Sequence, residues 1–455
     1  MIKNLSLTFC GGTGSVTGAN FLLESDQTKL LVDCGLEQGT TVADEFNHHP
    51  FSFKPSEIQI LLVTHAHIDH VGRIPKLVRD GFKGVIYSTP ETRELAVLML
   101  EDSLKILTQD ATRKDVAPLY GSDDVRRSFG LWKTIPYHIK TRIAPDFEVY
   151  LKDAGHVLGS TMYEVLYNGK KIVFTGDLGN SPTPLLKNTE DITDADYLIM
   201  ESVYGDRNHE SKDDRRTKLE DVIEDVILKK GVLMIPCFSL EKTQVILYEI
   251  NELIEEGRVQ SLPVYIDSPL AIKITEIYKR YPVDFNEKTR ALIKKGDDIF
   301  NFPKLHFTET SDESKAILHT PNPKIIIAGS GMSNGGRIMH HELNYVSNPA
   351  NTLLLAGYQA VNTIGRHISD GAKNITILGQ HVDVRARIEH IDGYSSHKDA
   401  DHLYEFVENT SDSVQKVFVA MGEPKSAMFL VQRLRDNLGI SAFAPKEGEK
   451  VTLEC

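Results

Sequence analysis

The chain has 455 residues, 41% hydrophobic and 25% charged, with 51 Lys and Arg against 64 Asp and Glu for a net charge of −13. These values fit a globular chain of two or three domains and exclude wholesale disorder, collagen-like repeats and a small disulfide scaffold. The acidity argues against a protein that coats polyanions, yet leaves room for a nucleic-acid enzyme with a local basic groove or a bound metal.

No run of 18 apolar residues occurs, so no membrane-spanning helix and no membrane partner are expected. The opening MIKNLSLTFCGG carries neither a cleavable signal pattern nor an Arg-rich presequence. Cys10, Cys34, Cys237 and Cys455 are scattered without a CxxC, which reads as reduced thiols of a cytoplasmic protein.

The first 40 residues predict strands at LSLTFC, FLLES and LLVDCG, separated by the turns GGTGSVTG and SDQTK. GGTGSVTG lacks the Lys-Ser/Thr of a phosphate loop and reads as a structural turn. IQILLVT (58–64) predicts a buried strand, and IPKLVRDGF and ETRELAVLMLEDSLKIL have helical spacing. Residues 147–179 predict strands with an Asn168-Gly169 hairpin turn, and DADYLIME adds another. Trp132, the single tryptophan, is assigned to packing.

Beyond residue 205 a densely charged stretch, 206–230, predicts a solvated helix face. Alternating candidates follow: GVLMIPCFS, QVILYEINELIEE, LPVYIDS, LAIKITEIYKRY, KIIIAGS and NTLLLAGY. This alternation predicts βαβ units and a parallel sheet. From about 371 a strand-rich pattern returns, ending in the helix of SAMFLVQRLRDNLG. The expected organisation is a first domain begun by residues 1–205, an inserted domain over 206–370, and completion of the first domain by 371–455.

His65-Ala66-His67-Ile68-Asp69-His70 places three histidines and an aspartate in six positions directly after a buried strand. Imidazole and carboxylate are the usual ligands of catalytic zinc. His65 and His67 point the same way in extended chain, while Asp69 and His70 enter the following helix and can serve a second metal. His156 in a Gly-flanked turn and Asp177 after the strand KIVF are the candidates to complete the site. A carboxylate such as Asp177 offers two oxygens and suits a bridge.

HAHIDH, Asp33 in LVDCG, GHVLGS and FTGDLG resemble the ordered motifs of the metallo-β-lactamase fold. MESVYGDRNH with Glu201, GSGMSNGGRIMHH, AGYQAVNTIGRHISDGAK and GYSSHKDA resemble its β-CASP nuclease branch, which holds the cleavage and polyadenylation endonuclease and bacterial and archaeal relatives. The resemblance implies an α/β fold: an αββα sandwich of two sheets with an inserted α/β β-CASP domain. It implies one Zn²⁺ on His65, His67 and His156, a second on Asp69 and His70, and Asp177 bridging. Asp33 would orient the site by hydrogen bonding. The implied activity is hydrolysis of RNA phosphodiester bonds by metal-activated hydroxide, endonucleolytic, with 5′-exonucleolytic action left open. Asp69 would accept a hydrogen bond from the attacking water, and Glu201 would hold His397 as proton donor to the leaving oxygen. In the Gly-rich GSGMSNGGR, Ser330, Gly331, Arg337 and His341 are the candidate phosphate and RNA contacts.

Two departures stand out. The last β-CASP motif normally offers a histidine before Gly-Glu; here Met421 occupies that place. A thioether is a poor Zn²⁺ ligand beside carboxylate and imidazole, so the second metal is expected to bind more weakly. Ser239-Leu240-Glu241-Lys242 replaces the usual Gly-Arg before Thr-Gln, keeping the charge but losing the bidentate fork. The competing readings are a catalytically impaired RNA-binding or assembly subunit and a small-molecule hydrolase of the same fold. The sequence allows a homodimer without supporting one.

Overall fold

Leu5, Leu7 and Phe9 are fully buried while Ser6 and Thr8 between them are partly exposed, the period-two signature of a strand with one face on a core. That strand, Asn4–Gly11, opens the computed structural model, which describes residues 4–39, 41–357, 359–360 and 362–455. The leaderless reading of the first residues, and Tyr358 and Val361 of AGYQAVNTIGR, therefore fall partly or wholly outside the described residues. The chain divides into two compact units, Met1–Asn208 with His397–Cys455, and His209–Ser396.

The first unit holds two seven-stranded sheets. Asn4–Gly11 pairs antiparallel with Asn20–Glu24 on one side and with the C-terminal strand Lys450–Glu454 on the other. Lys29–Val32, Ile60–Leu62 and Val85–Ser88 continue this sheet in parallel. The second sheet runs through Glu148–Asp153, Thr161–Tyr167, Lys170–Phe174, Tyr197–Met200 and Lys416–Val419. Its hairpin turns at Asn168 and Gly169, both at positive φ (47° and 82°), as the Asn-Gly signal requires. Leu7, Phe9 and Phe21 of one sheet share a single apolar layer with Val149, Tyr163 and Phe174 of the other. The second sheet's outer face buries Leu198, Val417 and Val419 against Leu403 and Phe406 of helix Ala400–Glu408 and Leu430 and Leu434 of helix Pro424–Leu438. Helices Ile74–Arg79, Pro90–Lys114 and Ser122–Gly130 pack together beside the first sheet. This is the αββα sandwich the motifs implied. Trp132 packs as expected, its indole N–H donating to Ser88 Oγ at 2.8 Å.

The second unit is a six-stranded sheet in the order Leu305–Phe307, Val264–Asp267, Lys324–Ala328, Val232–Pro236, Thr352–Leu355, Arg387–His390, with every pair parallel. The last strand corrects the expected return at 371. Arg387–His390 pairs with Thr352–Leu355, and Asn374–Ile377 forms a separate ribbon with Gln380–Asp383. Residues 371–396 thus belong to the insert, because alternation identifies a strand but not the sheet it joins. The charged run also differs from expectation at one point. Arg215 is buried, its guanidinium on the Glu249 carboxylate and, at 3.1 Å, the Gly393 carbonyl. Lys242 is likewise turned inward, onto the Tyr394 carbonyl, and burial brings its pKa down to about 8.

Arg337 and His341 converge on the fully buried carboxylate of Asp267, each at 2.7 Å. Arg337 also donates to the carbonyls of Thr308 (2.9 Å) and Glu309 (2.8 Å), and His341 is itself buried. Packing therefore accounts for these two side chains without a phosphate. Burial opposes ionisation of Asp267, but hydrogen bonds from His341, Ser314, Thr308 and Arg337 lower its pKa to about 2, against an ordinary 3.8. A carboxylate depressed in the folded state stabilises above the unfolded pKa and loses that contribution as pH falls through the folded one. Asp267→Asn is expected to destabilise this unit by about 1–3 kcal/mol at pH 7, since it takes the anionic acceptor from the buried His341 and the half-buried Arg337. The wild-type advantage over the variant should shrink between pH 4 and pH 2 in denaturant unfolding.

Candidate metal centre and active site

The site is built at strand ends within the first unit. Asp33 follows strand Lys29–Val32 with φ of 58°, a left-handed conformation that turns its carboxylate inward. One oxygen accepts the Thr64 backbone N–H at 2.8 Å; the other accepts the Thr64 hydroxyl at 2.8 Å and meets His70 Nδ1 at 2.7 Å. With Nδ1 engaged by Asp33, His70 turns Nε2 to its other edge; burial opposes a charge on the ring, but Asp177 and Asp33 hold its pKa well above the ordinary histidine value. That Nε2 is buried without a hydrogen-bond partner and lies 3.4 Å from Asp177 Oδ1. Gly35 lets this turn close on the HAHIDH segment: a Cβ there would stand 1.5 Å from the Asp69 carbonyl oxygen.

His65 and His67 leave the end of strand Ile60–Leu62 in extended chain, and helix Ile68–Val71 carries Asp69 and His70. His65 Nε2 lies 3.1 Å from His67 Nδ1, and His156 Nε2 lies 3.3 Å from that same nitrogen. Asp177 Oδ2 stands 3.5 Å from both Nε2 atoms. His156 is seated by its backbone N–H on Ser160 Oγ at 3.0 Å. Three imidazoles and a carboxylate thus turn four potential ligand atoms toward one point, all within 4.8 Å of one another.

This donor set fits a metal ion. Imidazole nitrogens at 3.1–3.3 Å can share at most one proton per pair, and a cation between them removes the conflict. Beside Asp177 lies the orphaned Nε2 of His70, and Asp69, half-buried, precedes it on the same helical turn. The electrostatics match a neutral ligand at His65 but hold His70 in its charged form, which must give up a proton to bind an ion. Burial, with His70 next, holds His65 well below the ordinary histidine value, the neutral form a ligand needs. Burial pushes Asp69 up to about 6, the cost of an uncompensated carboxyl. Met421 is buried in the apolar layer between the sheets, at a φ of 43°, its N–H donating to the Gly12 carbonyl at 2.7 Å.

The second pair sits beside Asp177. Glu201, fully buried at the end of strand Tyr197–Met200, accepts the Leu178 N–H at 2.6 Å. Both its oxygens are 3.2 Å from His397 Nδ1, which is 3.9 Å from Asp177 Oδ2. His397 is positioned by a bridge to Gly179 and by the next residue's N–H on the Leu178 carbonyl at 2.8 Å. Gly179 permits this, since a Cβ there would meet the Gly155 carbonyl oxygen at 1.9 Å. Burial opposes a charge on His397, but Glu201, Asp177 and Asp69 together carry it up to about 9.

Asp33, His65, His67, Asp69, His70, His156, Asp177, Glu201 and His397 all lie in this unit, whereas Ser330, Gly331, Arg337 and His341 lie in the other. Sequence reasoning missed Thr64, whose hydroxyl and N–H lock Asp33, and Leu178, whose two backbone groups tie Glu201 to the His397 loop. Thr64's place directly before His65 was the available signal; Leu178 offered none.

Three family models match the chain. The metallo-beta-lactamase superfamily covers residues 16–228, the Beta-Casp domain 243–368, and the Zn-dependent metallo-hydrolase RNA specificity domain 381–445. Ribonuclease TTHA0252 of Thermus thermophilus is 33% identical over 92% of this chain and 94% of its own length. Transcription termination factor FttA of Methanosarcina mazei is 31% identical over 98% of this chain and 71% of its own length. A crystal structure of a protein of unknown function from Enterococcus faecalis V583 shares the fold, with a TM-score of 0.55 at 10% identity over 99% of this chain and all of the other. With profiles, relatives and site geometry in agreement, the chain belongs to the β-CASP branch of the metallo-β-lactamase superfamily.

Proposed function

We propose that this protein is a zinc-dependent ribonuclease that hydrolyses phosphodiester bonds of RNA. The observation that carries the reading is the convergence of His65, His67, His156 and Asp177 beside the Glu201–His397 pair. The donor set of imidazole and carboxylate favours Zn²⁺. RNA as substrate is supported by the RNA-specificity segment at 381–445 and by a relative named a ribonuclease. A binding-only subunit is not favoured, since the ligand set and the acid–carboxylate pair are all present. A cytoplasmic location is our reading of the unpaired cysteines; no helix of the described residues is long and apolar enough to cross a membrane.

Bound zinc supplies Lewis acidity toward the phosphate and lowers the pKa of a water. The chain's own residues do the rest. Asp33 fixes the tautomer of His70 so that Nε2 faces the centre. Asp177 joins the His65–His156 side to the His70 side through its two oxygens. To Asp69 we assign the acceptance of a hydrogen bond from the attacking water. Glu201 holds a proton on His397 Nδ1, leaving the Nε2 proton for the departing ribose oxygen.

We read the metals as unequal. His65, His67, His156 and Asp177 form a four-ligand set, whereas Asp69, His70 and the shared Asp177 make three, with Met421 at the sequence position where the family carries a further histidine. Met421→His is expected to raise retained metal toward two per chain after dialysis, read by atomic emission. An unchanged content would show that another group completes the second position.

The function itself is tested by metal analysis of the purified protein together with cleavage of end-labelled single-stranded RNA. Between one and two zincs and a defined set of cuts are expected. Failure to cut any RNA with zinc supplied would overturn the reading.

A further inference from the structure

The parallel sheet of the 209–396 unit has a point where neighbouring connections diverge. From strand Val232–Pro236 the chain crosses toward Val264–Asp267; from its neighbour Lys324–Ala328 it crosses in the opposite direction, toward Thr352–Leu355. Parallel crossovers are right-handed, so connections running in opposite directions leave on opposite faces of the sheet. Between the carboxyl ends of two such strands the loops part, and open α/β sheets bind ligands in that crevice.

Three loop starts meet there. A Cβ built on Gly329 would lie 3.8–3.9 Å from the Cys237 carbonyl, Ser239 Oγ and Ser268 Oγ. The two serine hydroxyls are 3.2 Å apart. Phe238 occupies the space a side chain on residue 331 would need: its ring atoms stand 2.7–3.0 Å from a Cβ built on Gly331. Phe238 is nevertheless 43% exposed. It is seated on one side by a glycine turn and left uncovered elsewhere, with neutral hydroxyl donors beside it.

We infer that Phe238 is a stacking platform for a base of single-stranded RNA, with Ser239, Ser268 and the 329–331 turn receiving the adjoining sugar-phosphate. An aromatic face takes any base, and hydroxyls and glycine N–H groups suit a phosphate or ribose without sequence preference. The inference rests on the ribonuclease reading and adds to it a subsite in which Ser330 and Gly331 act with Phe238, in place of Arg337 and His341.

The test is fluorescence anisotropy of the zinc-loaded protein with a fluorescein-labelled phosphorothioate RNA decamer and with an abasic decamer of the same backbone. Wild type should bind the base-bearing decamer more tightly. Phe238→Leu keeps an apolar cover on Gly331 but removes the ring; it should lose roughly tenfold in affinity for that decamer, the size of one base–aromatic stack, and little for the abasic one. Phe238→Trp should restore the difference. Equal binding of the base-bearing decamer by wild type and Phe238→Leu would overturn the platform while leaving the ribonuclease reading standing. A wild type that binds neither decamer would overturn both.

Discussion

Asp177→Asn is expected to lower RNA cleavage by at least about 10³-fold and to release metal from the folded protein. The two oxygens of Asp177 face four histidines of the site. One oxygen stands 3.5 Å from His65 and His156 and 3.9 Å from His397, the other 3.4 Å from His70. The substitution keeps shape and volume, so the αββα layers should form as before. It removes the anion we assign to both metal positions and turns one end of the group into a donor facing imidazole nitrogens. Atomic emission after dialysis should show metal falling by about one ion per chain or more, with circular dichroism unchanged. A variant that kept its zinc and its rate would show that Asp177 is not the shared ligand.

The features of this site that could be read from the sequence are those whose chemistry is local. His65, His67, Asp69 and His70 are adjacent, and one strand end followed by one helical turn brings them together. Asp33 was legible only through its motif, because its effect depends on Thr64 lying opposite it across two parallel strands. Leu178 acts through its backbone N–H and carbonyl, which every residue type but proline offers, so nothing in its identity signals the role.

The larger misplacement was of the same kind. Arg387–His390 alternates like any half-buried strand, and only its hydrogen bonds to Thr352–Leu355 assign it to the insert. The C-terminal strand Lys450–Glu454 likewise depends on a partner more than 400 residues away, at Asn4–Gly11. Charge patterning failed at Arg215 for a related reason. A run of charges reads as solvated until the fold supplies a buried carboxylate, here Glu249. Arg337 and His341 show the reverse case, in which basic residues in and just after a Gly-rich turn read as ligands for an outside phosphate but each meet Asp267 within the unit.

His397→Gln is expected to reduce kcat by about 10²–10⁴-fold with a smaller effect on KM, because the proton it supplies matters as the P–O bond breaks. The pH profile carries the sharper test. A histidine raised to about 9 in the folded protein keeps its proton below that pH and loses it above. As a general acid it should therefore give wild type an alkaline limb, with the rate falling as pH rises through about 9, and the glutamine variant should lack that limb. Glu201→Gln removes the carboxylate that faces His397 Nδ1 at 3.2 Å from both oxygens. The His397 pKa should then fall toward its ordinary 6.5, bringing the limb down in pH before any loss at neutral pH is ascribed to folding. Metal content should stay at the wild-type level in both variants, which separates this effect from that of Asp177. An alkaline limb that persisted unmoved in both variants would assign the proton to another group.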